Sequence, residues 1–259
     1  MKSGTKRNIS LGAAIAICAA AFIIKRGFSI WKSPLAGKTD PVSRVQSLIR
    51  LDDKDIATRR YMIYFMIPLW IGAGLLDWYW HKKTKIEKTA GPKESLIHAL
   101  MMVETGIPVT AALLFEVNAG VLLMMVAAFF LHELTAAWDV AYAIDRRDVK
   151  PREQHTHSFL ELLPFCAVSF MIVLHWDQFG ALFGVNDEKP DFRIRWKKAP
   201  IPPAYIAAIL SAVALGIGVP YAEEYIRCKR AEQEGLTGTE IPAYVKERVE
   251  ERGYKDVQD

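Results

Sequence analysis

Five stretches of about twenty residues, almost free of charge, recur along this chain: Tyr61–Trp80, Leu96–Val117, Ala119–Ala143, Ser158–Trp176 and Ile201–Tyr221. A bilayer's hydrocarbon core takes about twenty helical residues to cross. It offers no water to a stray N–H or C=O, so such stretches are confined to helices that satisfy their own backbone. The fold class follows: all-α, a polytopic membrane helix bundle. An alanine-rich run, Ile9–Ile24, adds a sixth candidate; it lies between Lys2, Lys6 and Arg7 on one side and Lys25 and Arg26 on the other. We read it as a retained anchor rather than a cleaved signal, giving five to six transmembrane helices.

Breakers at Pro34, Gly37 and Pro41, then a basic stretch from Val42 to Arg60, predict an interfacial segment after the anchor. The expected organisation is therefore an anchor and interfacial segment over 1–60, a transmembrane bundle over 61–222, and a charged, solvent-exposed tail over 223–259. Within that tail Ile241–Gly253 is a candidate surface helix. Charged residues are 24% of the chain, yet they gather in loops and tails rather than in one stripe, so nucleic-acid binding has no support. Cys18, Cys166 and Cys228 are too far apart for a zinc knuckle or a disulfide framework. Phosphate-loop, dinucleotide-binding and serine-hydrolase motifs are absent as well.

Ionisable residues inside apolar spans are costly and mark function by default. Here they form pairs at helical spacing: Asp77/His81, Glu94/His98, His132/Asp139 and His157/Glu161, with His155 beside the last. Residues four or seven apart share a helix face. Spans joined by short loops run antiparallel, so all four pairs fall at one end of the bundle. His132 lies seven residues, roughly 10 Å, deeper than Asp139, and Glu104 lies at a similar depth. Histidine and carboxylate are the ligands that iron, manganese and zinc take up. We therefore expect Asp77, His81, Glu94, His98, His132, Asp139, His155, His157 and Glu161 to be metal ligands. Glu104 and Glu133 are candidate catalytic groups for proton relay. His175 and Glu116 lie toward the opposite end and fall outside the set.

So many ligands exceed the needs of one tetrahedral zinc ion and fit a dinuclear centre in a four-helix core, as in carboxylate bundles. Two iron ions are expected, with manganese or zinc as alternatives. The arrangement over roughly residues 61–176 resembles the integral-membrane non-haem di-iron hydroxylases and desaturases. Their H-x-x-H-H boxes are replaced here by Asp77-Trp-Tyr-Trp-His81, by His132-Glu133 followed by Asp139, and by His155-Thr-His157. The resemblance implies a metal-dependent oxidoreductase acting on an apolar, lipid-soluble small molecule, fed by a separate electron-donor protein. A proton- or cation-coupled transporter and a haem-binding electron-transfer subunit are the alternatives. Lys82, Lys83, Lys85, Lys88 and Lys93 in one loop, and Arg146, Arg147, Lys150 and Arg152 in another, turn the metal end toward the cytoplasm. The expected setting is a bacterial inner membrane.

Overall fold

The computed structural model describes residues 51–252. The expected anchor Ile9–Ile24 and residues 42–50 of the interfacial segment lie outside that range. Five long helices form a bundle: α1 (Lys54–Thr84), α2 (Pro92–Leu114), α3 (Ala119–Ile144), α4 (Pro151–Leu174) and α6 (Pro203–Gln233). The short α5 (Trp176–Ala181) follows α4, and α7 (Ala243–Glu251) follows α6. Among the described residues there is no strand, only an isolated bridge between Phe115 and Trp196. All five long helices are long and apolar enough to cross a membrane, and the chain is read here as an integral membrane protein.

Local chemistry sets the boundaries. Pro92, Pro151 and Pro203 occupy first-turn positions, where a missing N–H leaves no intrahelical bond unmade. Asn118 caps α3 by accepting from the Val121 amide at 3.1 Å. Lys85 ends α1 in the left-handed region at φ 56°, and a 3₁₀ turn, Ile86–Lys88, leads on to Gly91. This short connection makes α1 and α2 antiparallel neighbours.

Two π-helical turns interrupt the long helices, Met62–Met66 in α1 and Ala214–Gly218 in α6. Each stops one residue short of a proline, Pro68 and Pro220. A proline ring collides with the carbonyl four residues earlier, and a wider turn relieves that collision. The wider turn also shifts the phase of everything downstream. In α6 it directs Tyr221 and Glu224 inward, where both are buried. There α1 and α6 approach closely: a Cβ on Gly74 would lie 2.5 Å from Ile217 Cδ1.

The apolar core gathers at the end remote from the 85–91 loop, around Leu122, Met125, Val121 and Met171. The segment before α6 folds over this end: the Glu116 amide donates to the Arg195 carbonyl at 2.8 Å and Asn118 Nδ2 to the Arg193 carbonyl at 2.7 Å. Of the expected solvent-exposed tail, 223–259, the described residues 223–252 differ from that expectation. Helix α6 runs on to Gln233, with Glu224, Cys228 and Ala231 buried along one face. Val245 and Val249 of α7 are buried too, and Arg248 donates to the Ile144 carbonyl that ends α3. A high density of charge hid a three-to-four-residue apolar stripe.

Gly91 is held at φ 73°, and a Cβ there would lie 2.5 Å from Thr237 Cγ2. Gly91→Ala should therefore cost ~1–2 kcal/mol of stability, read as a lower unfolding midpoint in detergent. Gly72→Ala, where a Cβ meets nothing within 4 Å, should leave the midpoint nearly unchanged.

Candidate metal centre

Every long helix delivers a polar residue to one buried point near the 85–91 and 145–150 loops. Three of them repeat one local pattern, a carboxylate followed four residues later by histidine: Asp77/His81 on α1, Glu94/His98 on α2 and Glu153/His157 on α4. Helical geometry puts both members on one face. Asp139 comes from α3, and Tyr221 and Glu224 from α6. Asp77, Glu94, Asp139, Glu153, Glu224, His81 and His98 are each no more than 4% exposed.

The ligand atoms form three overlapping groups: Asp77, His81, Glu153 and His157; Glu94, His98 and Asp139; and His81, His98 and Glu224. Within each group one ligand atom per residue lies within 4.8 Å of all the others. His81 Nε2 faces Glu153 at 3.3 Å and Asp77 at 3.5 Å, and His157 Nε2 lies 2.9 Å from Asp77. His98 Nε2 lies 3.2 Å from Asp139 and 4.0 Å from Glu94. The His81 and His98 rings stack, centroids 4.5 Å apart and 8° from parallel.

Glu224 joins the two halves. One of its oxygens is 3.0 Å from His81 Nδ1 and the other 3.5 Å from His98 Nδ1. A carboxylate accepts only, so this contact places a proton on each Nδ1 and turns each Nε2 lone pair toward the opposing carboxylates. A lone pair facing a carboxylate needs a proton or a metal ion between them. Four buried atoms at these positions, His81 Nε2, Asp77 Oδ1, Asp139 Oδ1 and Glu153 Oε2, have no hydrogen-bond partner. Orphaned ligand atoms of this kind are what a metal ion satisfies.

Charge agrees with the donor set. Asp77, Glu94, Asp139, Glu153 and Glu224 contribute five negative charges, and buried Arg147 returns one. With neutral histidines the remainder is four, which two divalent cations would cancel. Burial works against the Arg147 charge, but Glu94 and Glu153 outweigh it and hold its pKa above the usual guanidinium range. Arg147 Nε donates to both Glu94 oxygens, at 2.8 and 3.0 Å, and Nη1 donates to Glu153. The guanidinium thus ties one carboxylate of each half to the other. Tyr221 donates to Asp77 at 2.8 Å and holds that carboxylate in place.

Of the sequence-predicted ligands, the structure brings together Asp77, His81, Glu94, His98, Asp139 and His157. His132 stays apart: it is buried deeper, 3.8 Å from Glu104, whose other oxygen accepts from Thr135 at 2.8 Å. His155 is exposed and packs on Phe159. Glu161 lines the wall of a cavity next to the site without joining a ligand group. Glu133 is half-buried on another face of α3, with one oxygen lacking a hydrogen-bond partner. Sequence reasoning missed Glu153, Glu224, Arg147 and Tyr221. Glu153 was findable, because Glu153/His157 repeats the spacing of the other two pairs. Glu224 was not, since the acidic run Glu223-Glu224 reads as the start of a tail. Nor could Arg147 be told from Arg146, which stacks on Tyr142 at 3.8 Å.

No protein-family model, curated protein or solved structure matches this chain.

Arg147→Leu would leave Glu94 and Glu153 buried without their cation. Thermal unfolding of the purified protein should show a loss of ~3–5 kcal/mol. Arg147→Lys should recover only part of it, since lysine lacks the planar fork that reaches both carboxylates.

Proposed function

We propose that the protein is a membrane-embedded, dinuclear metal oxidoreductase, with iron the first candidate, acting on a lipid-soluble substrate. The observation that carries this reading is the pair of histidine–carboxylate groups flanking Glu224, with a net charge that two divalent ions would balance. His81, His157, Asp77 and Glu153 would hold one ion; His98, Glu94 and Asp139 would hold the other. An iron pair supplies the electrons that activate dioxygen. The chain's own residues do the rest. Glu224 fixes both imidazole orientations, Tyr221 holds Asp77, and Arg147 neutralises the outer carboxylates.

A cavity of about 170 Å³ adjoins the site, walled by Asp77, His98, Asp139 and His157 on one side and by Trp70, Ile71, Met101 and Leu160 on the other. Val140 and Val213 on its wall are 40% and 37% exposed, which opens it toward the lipid-facing surface. An apolar substrate can enter there while water is excluded from reactive species. On the deeper side Thr135 donates to Glu104 at 2.8 Å and His132 lies 3.8 Å from the other Glu104 oxygen, a carboxylate and an imidazole placed to take up or release a proton near the cavity. The lysines at the metal end, Lys82, Lys83, Lys85 and Lys88, favour a cytoplasmic orientation in a bacterial inner membrane.

Metal analysis tests the proposal. Detergent-purified protein should carry about two equivalents of iron, manganese or zinc per chain, and His157→Ala and Asp139→Asn should each lower that content. Less than about one equivalent after anaerobic reconstitution with ferrous iron would overturn it.

A further inference from the structure

A second cavity, about 520 Å³, continues from the first toward the opposite end of the bundle. Ile67, Trp70, Thr105 and Val109 line both, so the two lie end to end. Apart from Glu104 beside Thr105, where it joins the first cavity, its walls are apolar through Met66, Ala112, Leu113, Phe129 and Val168, and then change character. At the far mouth stand Arg59, Glu116, His175 and Lys197. Arg59 precedes Asp77 by eighteen residues on α1, and His175 follows His157 by eighteen at the end of α4. Eighteen residues rise about 27 Å, close to the thickness of the hydrocarbon core. The metal end and the charged mouth thus sit near opposite membrane interfaces.

The mouth is electropositive. Among the described residues neither Arg59 nor Lys197 forms an ion pair within 4.0 Å. The one carboxylate lining it, Glu116, is engaged by the Lys198 amide at 2.6 Å. Arg59 Nη2 approaches His175 Nε2 at 3.5 Å, the donor–acceptor limit. The neighbours register the surplus. The His175 pKa is pushed down to about 4, by burial and then by Arg59, with Asp177 and Asp55 offsetting less. Burial and Arg59 also lower Lys197, against a smaller pull from Glu116. His175 is therefore neutral at pH 7 and can accept from Arg59; the lining of the mouth carries two cations against one carboxylate, with Asp55 and Asp177 outside the lining.

We infer that the joined cavities hold one long, single-chain amphiphile with an anionic head. Arg59 and Lys197 bind the head at the interface opposite the metal end, and the chain runs through the bundle past Trp70. Its distal carbons then lie beside Asp77, His98, Asp139 and His157. A neutral hydrocarbon would leave Lys197, half-buried at the edge of an apolar chamber, without an anionic partner, a costly arrangement. An anionic head supplies charge-assisted hydrogen bonds there. Its role as substrate rests on the oxidoreductase reading; its binding does not.

Displacement of a fluorescent fatty acid from the full chain in lipid nanodiscs tests the inference, with oleate, oleoyl lysophosphatidate and oleyl alcohol as competitors. Oleate or the lysophosphatidate should compete at least about tenfold better than the alcohol, and the better of the two identifies the head as carboxylate or phosphate. Arg59→Gln with Lys197→Gln should erase that preference while alcohol binding persists, which also reports an intact chamber. Ala112→Phe, which narrows the chamber, should weaken all three. Equal competition by oleyl alcohol and both anions in the wild type, or an anion preference that survives the double substitution, would overturn the inference. Metal content of the wild type, measured in parallel, separates the two readings: anion preference in a wild-type chain that takes up less than about one equivalent of metal defeats the oxidoreductase alone, and metal uptake without anion preference defeats the amphiphile alone.

Discussion

Glu224 sits between two stacked imidazoles, one from α1 and one from α2, and the rest of the polar centre is arranged around that contact. Without it, nothing would orient the Nε2 atoms of His81 and His98 toward their two sets of carboxylates. Five carboxylates at this depth are tolerable only with counter-charge, because desolvation of even one costs several kcal/mol. Arg147 supplies a single positive charge and ties Glu94 to Glu153. The remainder calls for further cations, either protons on the histidines or metal ions. The helix ends, the inter-helix loops and the inward phase of α6 all serve to bring these groups within a few ångströms.

The bundle spends its few breakers where that centre needs them. Pro92 and Pro151 start α2 and α4 so that Glu94 and Glu153 fall in first turns, where the helix dipole favours a negative charge. The π turn before Pro220 resets α6 so that Tyr221 and Glu224 arrive on the same side as His81. Close approach at Gly74 lets Tyr221 reach both the Gly74 carbonyl and Asp77, at 3.2 and 2.8 Å. The opposite end follows a different logic. There apolar packing and the covering 182–200 segment leave a long chamber, with Arg59, Glu116, His175 and Lys197 at its mouth.

Much of this was legible in the chain. Five apolar spans announce a helical bundle, and four-residue spacing announces Asp77/His81 and Glu94/His98 as paired groups on single faces. Antiparallel alternation puts them at one end. The two missed carboxylates mark the limits of such reasoning in different ways. Glu153 lies just before Ser158, where the apolar run begins, so a boundary drawn on hydropathy excluded the first turns of α4. Glu224 lies three residues after the apolar run of α6 ends, in a stretch whose average charge resembles solvent-exposed sequence. Averages over a window conceal a buried face. His132 and His155 show the converse: the right residue types near the right end, with helical phase directing one to a deeper pair and the other outward.

The sequence by itself determined that the chain forms membrane-length helices, which of their ends carry ionisable groups, and that those groups are histidines and carboxylates. Local periodicity and the cost of unsatisfied backbone in hydrocarbon suffice for that. Which of them meet was decided only by tertiary structure. Convergence depends on the rotation of each helix about its axis, and that rotation is set by proline-linked π turns, close contacts such as Gly74 against Ile217, and packing partners far apart in the chain. The meeting of Glu224 with His81, across more than a hundred residues, is of that kind, and no local pattern encodes it.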